Sequence, residues 1–130
     1  MARVLLADDN PTSRLTLQTV LEAGGYRVDS AASAAEAVGL LDQAEYELVL
    51  SDLSMESPEA GLKVLAHARM MEYRPATALV TSWHREESSA QKSKAQVLIE
   101  PEDLPELLGQ VATLIGARAS KRAGRRAAAR

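Results

Sequence analysis

The chain has 130 residues and 46% of them are hydrophobic, which predicts a single globular domain with a substantial core. It contains no cysteine, which excludes disulfides, thiolate metal sites and cysteine nucleophiles and suits a reducing compartment. No apolar run approaches membrane-spanning length, and charged residues come too early for a secretory signal. We therefore expect a soluble, cytoplasmic protein without a membrane span.

The net charge of −3 is unevenly distributed along the chain. Residues 118–130 hold six basic residues and no acid, so the first 117 residues carry nine basic and eighteen acidic ones, a charge of −9. This asymmetry divides the chain into a domain over residues 1–116 and a basic tail over 117–130. The tail either stays flexible or prolongs the last helix. Its attraction to acidic partners or nucleic acid would carry no base specificity, so no sequence-specific DNA binding is expected.

The first half of the chain alternates between strand and helix patterns. An apolar strand over 3–7 precedes a helix that starts with Asn10 as its N-cap. A short alternating strand over 26–30 follows, and then a second helix, whose start shows the capping-box spacing of Ser33 and Glu36. These signals predict two successive strand–helix units.

The second half continues this alternation. The apolar run 48–51 is bounded by turn residues, as is typical of a strand buried on both faces. A helix over 58–71, strands over 76–82 and 95–99, and a final helix over 101–115 complete the pattern. The polar segment between the last two strands forms either a short helix or a loop. Five such alternations predict an α/β fold with a parallel sheet covered on both faces.

Acidic side chains follow two of the predicted strands at the point where each one ends. Asp8 and Asp9 come after the first strand, and Asp52 comes after the third. If these strands are neighbours, the three carboxylates converge at the edge where open α/β sheets bind ligands. Taken separately, Asp8-Asp9 is also explained as an acid pair favoured at a helix N-terminus, and Asp52 as a loop-starting acid. Their joint arrangement favours a shared site.

Four features at strand ends, in this order, resemble the receiver domain of bacterial response regulators. They are Asp8-Asp9, Asp52, Thr81-Ser82 and Pro101. The resemblance covers residues 2 to about 116 and implies a flavodoxin-like (βα)5 doubly wound sheet with strand order 2-1-3-4-5. A strand end explains Thr81-Ser82 equally well when these residues are considered alone.

The resemblance also implies a role for each site residue. Asp52 would be the phosphoacceptor, Asp9 would ligate Mg²⁺ directly, Asp8 would act through water, and the backbone carbonyl of Ser54 would complete the protein ligands. Thr81 would hydrogen-bond a phosphoryl oxygen and draw its loop inward. This movement would transmit the added charge on Asp52 to a distant surface of the domain. The ionised nucleophile must approach a phosphate dianion, and Mg²⁺ offsets their repulsion.

The main departure from the family pattern is Glu100, which stands immediately before Pro101 where the family has a lysine. A fourth acid at this edge either turns outward or strengthens Mg²⁺ binding while it weakens phosphoryl stabilisation. The missing cation is replaced by Lys92, Lys94 or Arg85, or is absent; the sequence leaves this open.

Four smaller departures accompany Glu100. Val97 occupies the position of the family's switch aromatic, and Glu56 follows Met55 where proline is common. The loop between Asp52 and Gly61 is one residue longer than usual, and the segment before Glu100 is about three residues shorter. These changes fall on the predicted signalling face, whereas the three acids are intact.

These observations predict a bacterial single-domain response regulator of a two-component phosphorelay. It would accept phosphate at Asp52 from a histidine kinase or phosphotransfer protein and signal by contact with a downstream protein target. It would not be an enzyme beyond its self-catalysed phosphotransfer, and a homodimer is compatible with this reading. The alternative is a phosphorylation-independent pseudo-receiver that acts as a protein-binding module. A Mg²⁺-dependent phosphatase gains little support, because the edge supplies only carboxylates.

Overall fold

The computed structural model describes residues 1–53, 55–57, 59–80, 98–99 and 104–128. Within these residues the chain alternates strands with helices around one parallel sheet. The strands are β1 (Arg3–Ala7), β2 (Arg27–Ala31), β3 (Leu48–Asp52), β4 (Ala76–Val80) and β5 (Leu98–Ile99). The helices are α1 (Pro11–Ala23), α2 (Ala34–Gln43), α3 (Ala60–Arg69) and α4 (Leu104–Ala128).

The sheet has the strand order β2-β1-β3-β4-β5, and every neighbouring pair is parallel. This confirms the predicted doubly wound α/β fold with strand order 2-1-3-4-5. Parallel strands require crossover connections, and α1, α2 and α3 supply those between β1 and β4. The order places β1 between β2 and β3, so the ends of β1 and β3 lie side by side.

The two faces of the sheet bury separate apolar clusters, because side chains alternate along each strand. Leu5 of β1 packs with residues of α2 and α3, whereas Val4 and Leu6 pack with residues of α1 and α4. All five residues of β3 are buried, as its continuous apolar run predicts. Helices therefore pack against the strands β1 and β3 on both faces of the sheet.

Both predicted helix caps are present. The Asn10 side chain accepts a hydrogen bond from the Ser13 backbone N–H at 2.9 Å. The Ser33 hydroxyl accepts one from the Glu36 N–H at 3.1 Å. The Glu36 carboxylate, however, accepts from the N–H of Ala32, at 2.6 Å, so the second half of the capping box is shifted by one residue.

Two side chains lie off the faces that the apolar spacing predicts. The spacing places Leu15 on a helical stripe with Leu17 and Leu21, but Leu15 in α1 is 66% exposed. It also predicts that Ala66 is buried with Leu65 in α3, but Ala66 is exposed. The buried residues of α3 are Ala60, Gly61, Val64, Leu65 and Ala68. Only one face of each helix touches the sheet, and apolar residues at an adjacent angle stay outside it.

The last helix extends well past the predicted end at residue 115. Leu107 and Val111 are buried against the sheet, in agreement with the predicted stripe. Beyond them, Arg118 donates hydrogen bonds to the carbonyls of Tyr73 and Arg74 at 2.7 and 3.0 Å, and Arg122 donates to that of Tyr73 at 3.1 Å. Of the two alternatives for the basic tail, helix extension is the one observed, through Ala128.

One polar cluster was not predicted from the sequence. Arg3 donates to Asp29 through Nη2 at 2.9 Å and Nε at 3.2 Å, and the buried Tyr46 donates its hydroxyl proton to the same carboxylate at 2.7 Å. The guanidinium also lies 5.2 Å from the centre of the Tyr46 ring. Burial alone would raise the pKa of Asp29, but the hydrogen bonds from Tyr46 and Arg3 outweigh it and lower that pKa.

Several predictions concern residues outside the described part of the chain. These include the polar segment 85–94, residues 95–97 of the fifth predicted strand, and Pro101 before the last helix. In the part that the structure describes, none of the helices is both long enough and apolar enough to cross a membrane.

Candidate metal centre

The parallel pairing of β1 and β3 sets the geometry of the acidic site. Ala7, the last residue of β1, is the register partner of Ser51, the penultimate residue of β3. Asp8 directly follows Ala7, and Asp52 directly follows Ser51. The two carboxylates therefore come from adjacent strand ends. The predicted convergence at the carboxyl edge of the sheet is therefore present.

Asp8, Asp9 and Asp52 each offer a carboxylate oxygen, and these three oxygens lie within 4.8 Å of one another. Asp8 and Asp52 are buried, whereas Asp9 is exposed. A cluster of this kind concentrates negative charge at one point that solvent reaches from one side. Carboxylate oxygens are the ligands that Mg²⁺ and other hard cations prefer.

The backbone around Asp8 fixes the position of its carboxylate. The Asp8 N–H donates to the carbonyl of Ala31 at 3.0 Å, and Arg14 donates to the carbonyl of Asp8 at 2.8 Å. The Asn10 N–H donates to Oδ1 of Asp8 at 3.0 Å. The other oxygen, Oδ2, is buried and accepts no hydrogen bond from any described residue. A buried carboxylate oxygen in that condition needs a cation or a donor to offset its desolvation.

The electrostatics at Asp9 point in the same direction. Partial desolvation by the surrounding protein raises the pKa of the largely exposed Asp9, the negative charges of Asp8 and Glu56 raise it further, and Arg14 opposes them. The net result is a pKa above the usual value for an aspartate. Ionised Asp9 is thus less stable in this cluster than in water, and a divalent cation would reverse that penalty.

The position of Asp52 depends on close backbone packing below it. The Leu53 N–H donates to the carbonyl of Val80 at 2.9 Å, which continues the β3–β4 pairing past Asp52. In α3, a Cβ atom added at Gly61 would lie 3.0 Å from the Asp52 carbonyl oxygen and 3.0 Å from the Ser51 hydroxyl. Glycine at 61 therefore lets the start of α3 approach the strand that carries Asp52.

The donor set fits Mg²⁺: oxygen ligands only, few carboxylates, and one buried oxygen without a partner among the described residues. Asp8, Asp9 and Asp52 would hold the ion, which when bound would neutralise part of the charge around Asp52. Ser54, the predicted carbonyl ligand, lies outside the described residues. So do Thr81 and the atypical Glu100, and their roles stay predictions.

Sequence reasoning missed two contributors to this site. Arg14 faces the Asp8 backbone from the second turn of α1, and Glu56 acts on Asp9 from the β3–α3 loop. A basic residue four positions after the N-cap was a signal for the first. Glu56 had been noted only as a departure from the family pattern, because Asp9, the residue on which it acts, lies 47 positions earlier in the chain.

A doubly wound parallel sheet with three acids at the ends of two adjacent strands defines an acidic-pocket α/β domain. The family described as the response regulator receiver domain matches residues 4–108 of this sequence. This chain belongs to that family.

Curated relatives match parts of the chain. The sensor protein GacS of Pseudomonas syringae is 32% identical over 88 residues, which are 68% of this chain and 8% of that protein. The sensor protein EvgS of Escherichia coli is 38% identical over 52 residues, 40% of this chain and 4% of EvgS. Protein PilH of Pseudomonas aeruginosa is 38% identical over 55 residues, 42% of this chain and 46% of PilH. The matches span less than half the length of each of these relatives.

Solved structures agree over most of the fold. Chemotaxis protein CheY4 of Vibrio cholerae superposes with a TM-score of 0.72 at 26% identity, covering 88% of this chain and 98% of that one. The response regulator TrrA of Thermotoga maritima, in complex with Mg²⁺-BeF, has a TM-score of 0.69 at 26% identity, with 88% and 99% coverage. A complex of histidine kinase ThkA with TrrA matches with a TM-score of 0.70 at 27% identity, with 88% and 98% coverage.

Proposed function

We propose that this chain is a phosphorylated response regulator that accepts a phosphoryl group on Asp52 in the presence of Mg²⁺. The observation that carries the proposal is the cluster of Asp8, Asp9 and Asp52, with oxygens within 4.8 Å of one another at the carboxyl edge of a receiver-domain sheet. The family membership supplies the class of reaction, and the cluster supplies the groups that the reaction needs.

In the proposed step, a carboxylate oxygen of Asp52 attacks phosphorus and forms an acyl phosphate. The bond from phosphorus to the donor breaks, and the donor keeps the electron pair: a histidine nitrogen in a phosphoprotein, or the acetate oxygen of acetyl phosphate. Because Asp52 is 4% exposed and held by the β3–β4 pairing, the attacking oxygen is fixed at the edge of the sheet. Positioning of this kind, together with charge neutralisation, is most of what phosphoryl transfer requires.

The neighbouring acids have distinct tasks in this proposal. Asp9 is exposed and would contact Mg²⁺ directly. Asp8 is buried, and a hydrogen bond from the Asn10 N–H positions its carboxylate. When bound, Mg²⁺ would offset the repulsion between Asp52 and the incoming phosphate dianion. Thr81 would then hydrogen-bond the transferred group.

The phosphodonor in the cell is proposed to be a histidine kinase or a phosphotransfer protein. The kinase complex of TrrA supports this assignment by likeness. The exposed side chain of Leu15 on α1, the helix that starts directly after the acids, offers such a donor an apolar contact near the site. Contact with a downstream protein, a cytoplasmic location, and a role other than that of a substrate-converting enzyme complete the proposal.

The deciding experiment is incubation of the full chain with acetyl phosphate and Mg²⁺, followed by intact-mass measurement. We expect a gain of one phosphoryl group that disappears when Asp52 is changed to Asn or when the metal is chelated. Asp42→Asn is the matched control, because Asp42 is an exposed carboxylate on α2 paired only with His67 among the described contacts. That variant should be phosphorylated like the parent.

A parent chain that binds Mg²⁺ but gains no phosphoryl group would contradict the proposal and favour the pseudo-receiver alternative. Glu100→Lys then becomes the informative variant. If that change restores phosphorylation, the negative charge of Glu100 is the cause of the inactivity. If the variant also gains no phosphoryl group, the cause lies in another residue.

A further inference from the structure

The β3–α3 loop makes a contact outside its own strand–helix unit. The carboxylate of Glu56 accepts hydrogen bonds from the Ala34 N–H at 3.0 Å through one oxygen and 3.3 Å through the other. Ala34 is the first residue of α2. The side chain of Met55, next to Glu56, is 5% exposed and packs in the core cluster that also includes residues of α2 and α3. The loop is thus attached to α2 by one buried and one polar side chain.

This contact gives the N-terminus of α2 an acceptor from another part of the chain. The Glu36 N–H donates to the Ser33 hydroxyl, and the Ala32 N–H donates to the Glu36 carboxylate. Both acceptors lie within four residues of their donors. The Ala34 N–H instead receives its acceptor from Glu56, 22 residues further along the chain. A helix N-terminus with its free N–H groups favours a carboxylate at this place.

The segment that leads into α2 contacts the acidic cluster: Ala31, three residues before Ala34, is the register partner of Ala7 and accepts a hydrogen bond from the Asp8 N–H at 3.0 Å. The negative charge of Glu56 acts on Asp9, one of the three clustered acids. Glu56 stands two residues after Ser54 in the loop that leaves Asp52. The Glu56 carboxylate therefore accepts a hydrogen bond from the first turn of α2 and also contributes to the charge around the cluster.

We propose that Glu56 is a positioning residue that couples occupation of the acidic site by Mg²⁺ to the first turn of α2. This inference rests on the proposed function for its metal. Binding of a dication next to Asp9 attracts the Glu56 carboxylate and shifts it relative to the Ala34 N–H, so the start of α2 reports the state of the site. The first turn of α2 becomes a second surface at which a partner reads occupation.

Amide NMR of the full chain tests the coupling with two matched variants. Glu56→Gln and Glu56→Ala both remove the charge, but only the Gln variant keeps an acceptor for Ala34. Glu59→Ala is the control, because Glu59 is an acid in the same loop whose side chain makes no cap hydrogen bond. The Asn10 amide, which donates to Asp8, serves as the direct reporter of metal binding.

Without metal, we expect the Ala34 amide resonance to move in the Ala variant and to stay near its parent position in the Gln and Glu59→Ala variants. On titration with Mg²⁺, the Asn10 amide should shift in all of them. The Ala34 amide should shift in the parent and in Glu59→Ala, more weakly in the Gln variant, and not in Glu56→Ala. Because only the charged side chain is attracted by the ion, Mg²⁺ affinity should fall roughly two- to fivefold from the parent to the Gln variant.

The two proposals fail in different ways. If Mg²⁺ shifts Asn10 but leaves Ala34 unchanged in the parent, or shifts Ala34 equally in Glu56→Ala, the coupling is wrong and the metal site stands. Equal Mg²⁺ affinities in the parent and the Gln variant would also overturn it. If Asn10 does not respond in the parent, the metal site itself is wrong and the coupling falls with it.

Discussion

Two carboxylate regions of this molecule are built in opposite ways. Asp29 on the edge strand β2 receives hydrogen bonds from Arg3 and Tyr46, and its pKa is lowered. Asp9 at the carboxyl edge of the sheet is surrounded by further acids, and burial together with Asp8 raises its pKa. The same functional group is satisfied by the protein in the first region and left with excess negative charge in the second.

The difference separates stability from function. A carboxylate with a lowered pKa stabilises the folded chain at neutral pH, whereas one with a raised pKa destabilises it. The pairing of β1 with β3 brings Asp8 and Asp52 together, and among the described residues Arg14 is the cation that opposes the excess charge at Asp9. A bound cation would make the cluster more favourable, and this is the basis of the proposed metal site.

The largest expected effect follows from supplying that cation. Mg²⁺ at a hundred times its dissociation constant should raise the free energy of unfolding by about 2.7 kcal/mol, because only the folded chain presents the cluster. Urea unfolding with and without Mg²⁺ measures this gain. The gain should be much reduced in Asp9→Asn and retained in Asp29→Asn. An equal gain in Asp9→Asn would mean that the metal binds elsewhere.

Removing the satisfied carboxylate should have the next largest effect. Asp29→Ala deletes the acceptor of Arg3 and leaves the hydroxyl of Tyr46 without its partner, which should cost about 1–2 kcal/mol of stability. The side chains of Arg3 and Asp29 are each about 30% exposed, which keeps the loss at the lower end of the range for charged pairs. Asp42→Ala, which breaks a more exposed pair with His67, should change stability by less than about 0.5 kcal/mol. Similar losses of stability in Asp29→Ala and Asp42→Ala would show that the Asp29 cluster stabilises the fold no more than an exposed ion pair does.

The stability that Asp29 contributes should depend on pH in a defined direction. Its folded-state pKa lies below the unfolded value of 3.8, so the contribution is fully present above that pH. It is lost as the pH falls through the lower, folded-state pKa. Comparing the parent with Asp29→Asn by urea unfolding at neutral and acidic pH measures it, and the two stabilities should converge in acid. A gap that persists or widens in acid contradicts the assigned shift.

The smallest effect concerns Asp9 in the absence of metal. Its folded-state pKa is raised, so ionisation penalises the fold above that pKa, and the penalty is absent below the unfolded value of 3.8. Asp9→Asn should therefore stabilise the metal-free chain at pH 7 by a few tenths of a kcal/mol, limited by solvent screening. Thermal melts in a chelating buffer test this prediction. A destabilised Asn variant would show that Asp9 is not strained by its neighbours.

The sequence was sufficient for the fold because its signals are local. Periodicity, the Asn10 cap and the buried run before Asp52 lie within single elements, and the acids follow strand ends directly. The contacts of Asp29 with Arg3 and Tyr46 could not be read in this way, because they join residues 26 and 17 positions apart. A side chain's partner across elements depends on packing rather than on spacing.

The same reason explains the errors at helix level. Periodicity gave the right face for Leu107 and Val111, but not the angle at which α1 meets the sheet, which leaves Leu15 outside. The sequence left the length of α4 open, because its final turns carry basic residues instead of an apolar stripe. There Arg118 and Arg122 fasten the helix to backbone carbonyls of the α3–β4 connection.

Met70 has a practical consequence for experiments on this protein. It is 70% exposed and follows α3, at the end of the molecule where β4 is about to begin, opposite the edge that carries the acids. Since the chain has no cysteine, Met70→Cys creates a unique thiol for a fluorophore or a biosensor surface. A chain tethered in this orientation presents its carboxylate cluster to the flowing solution.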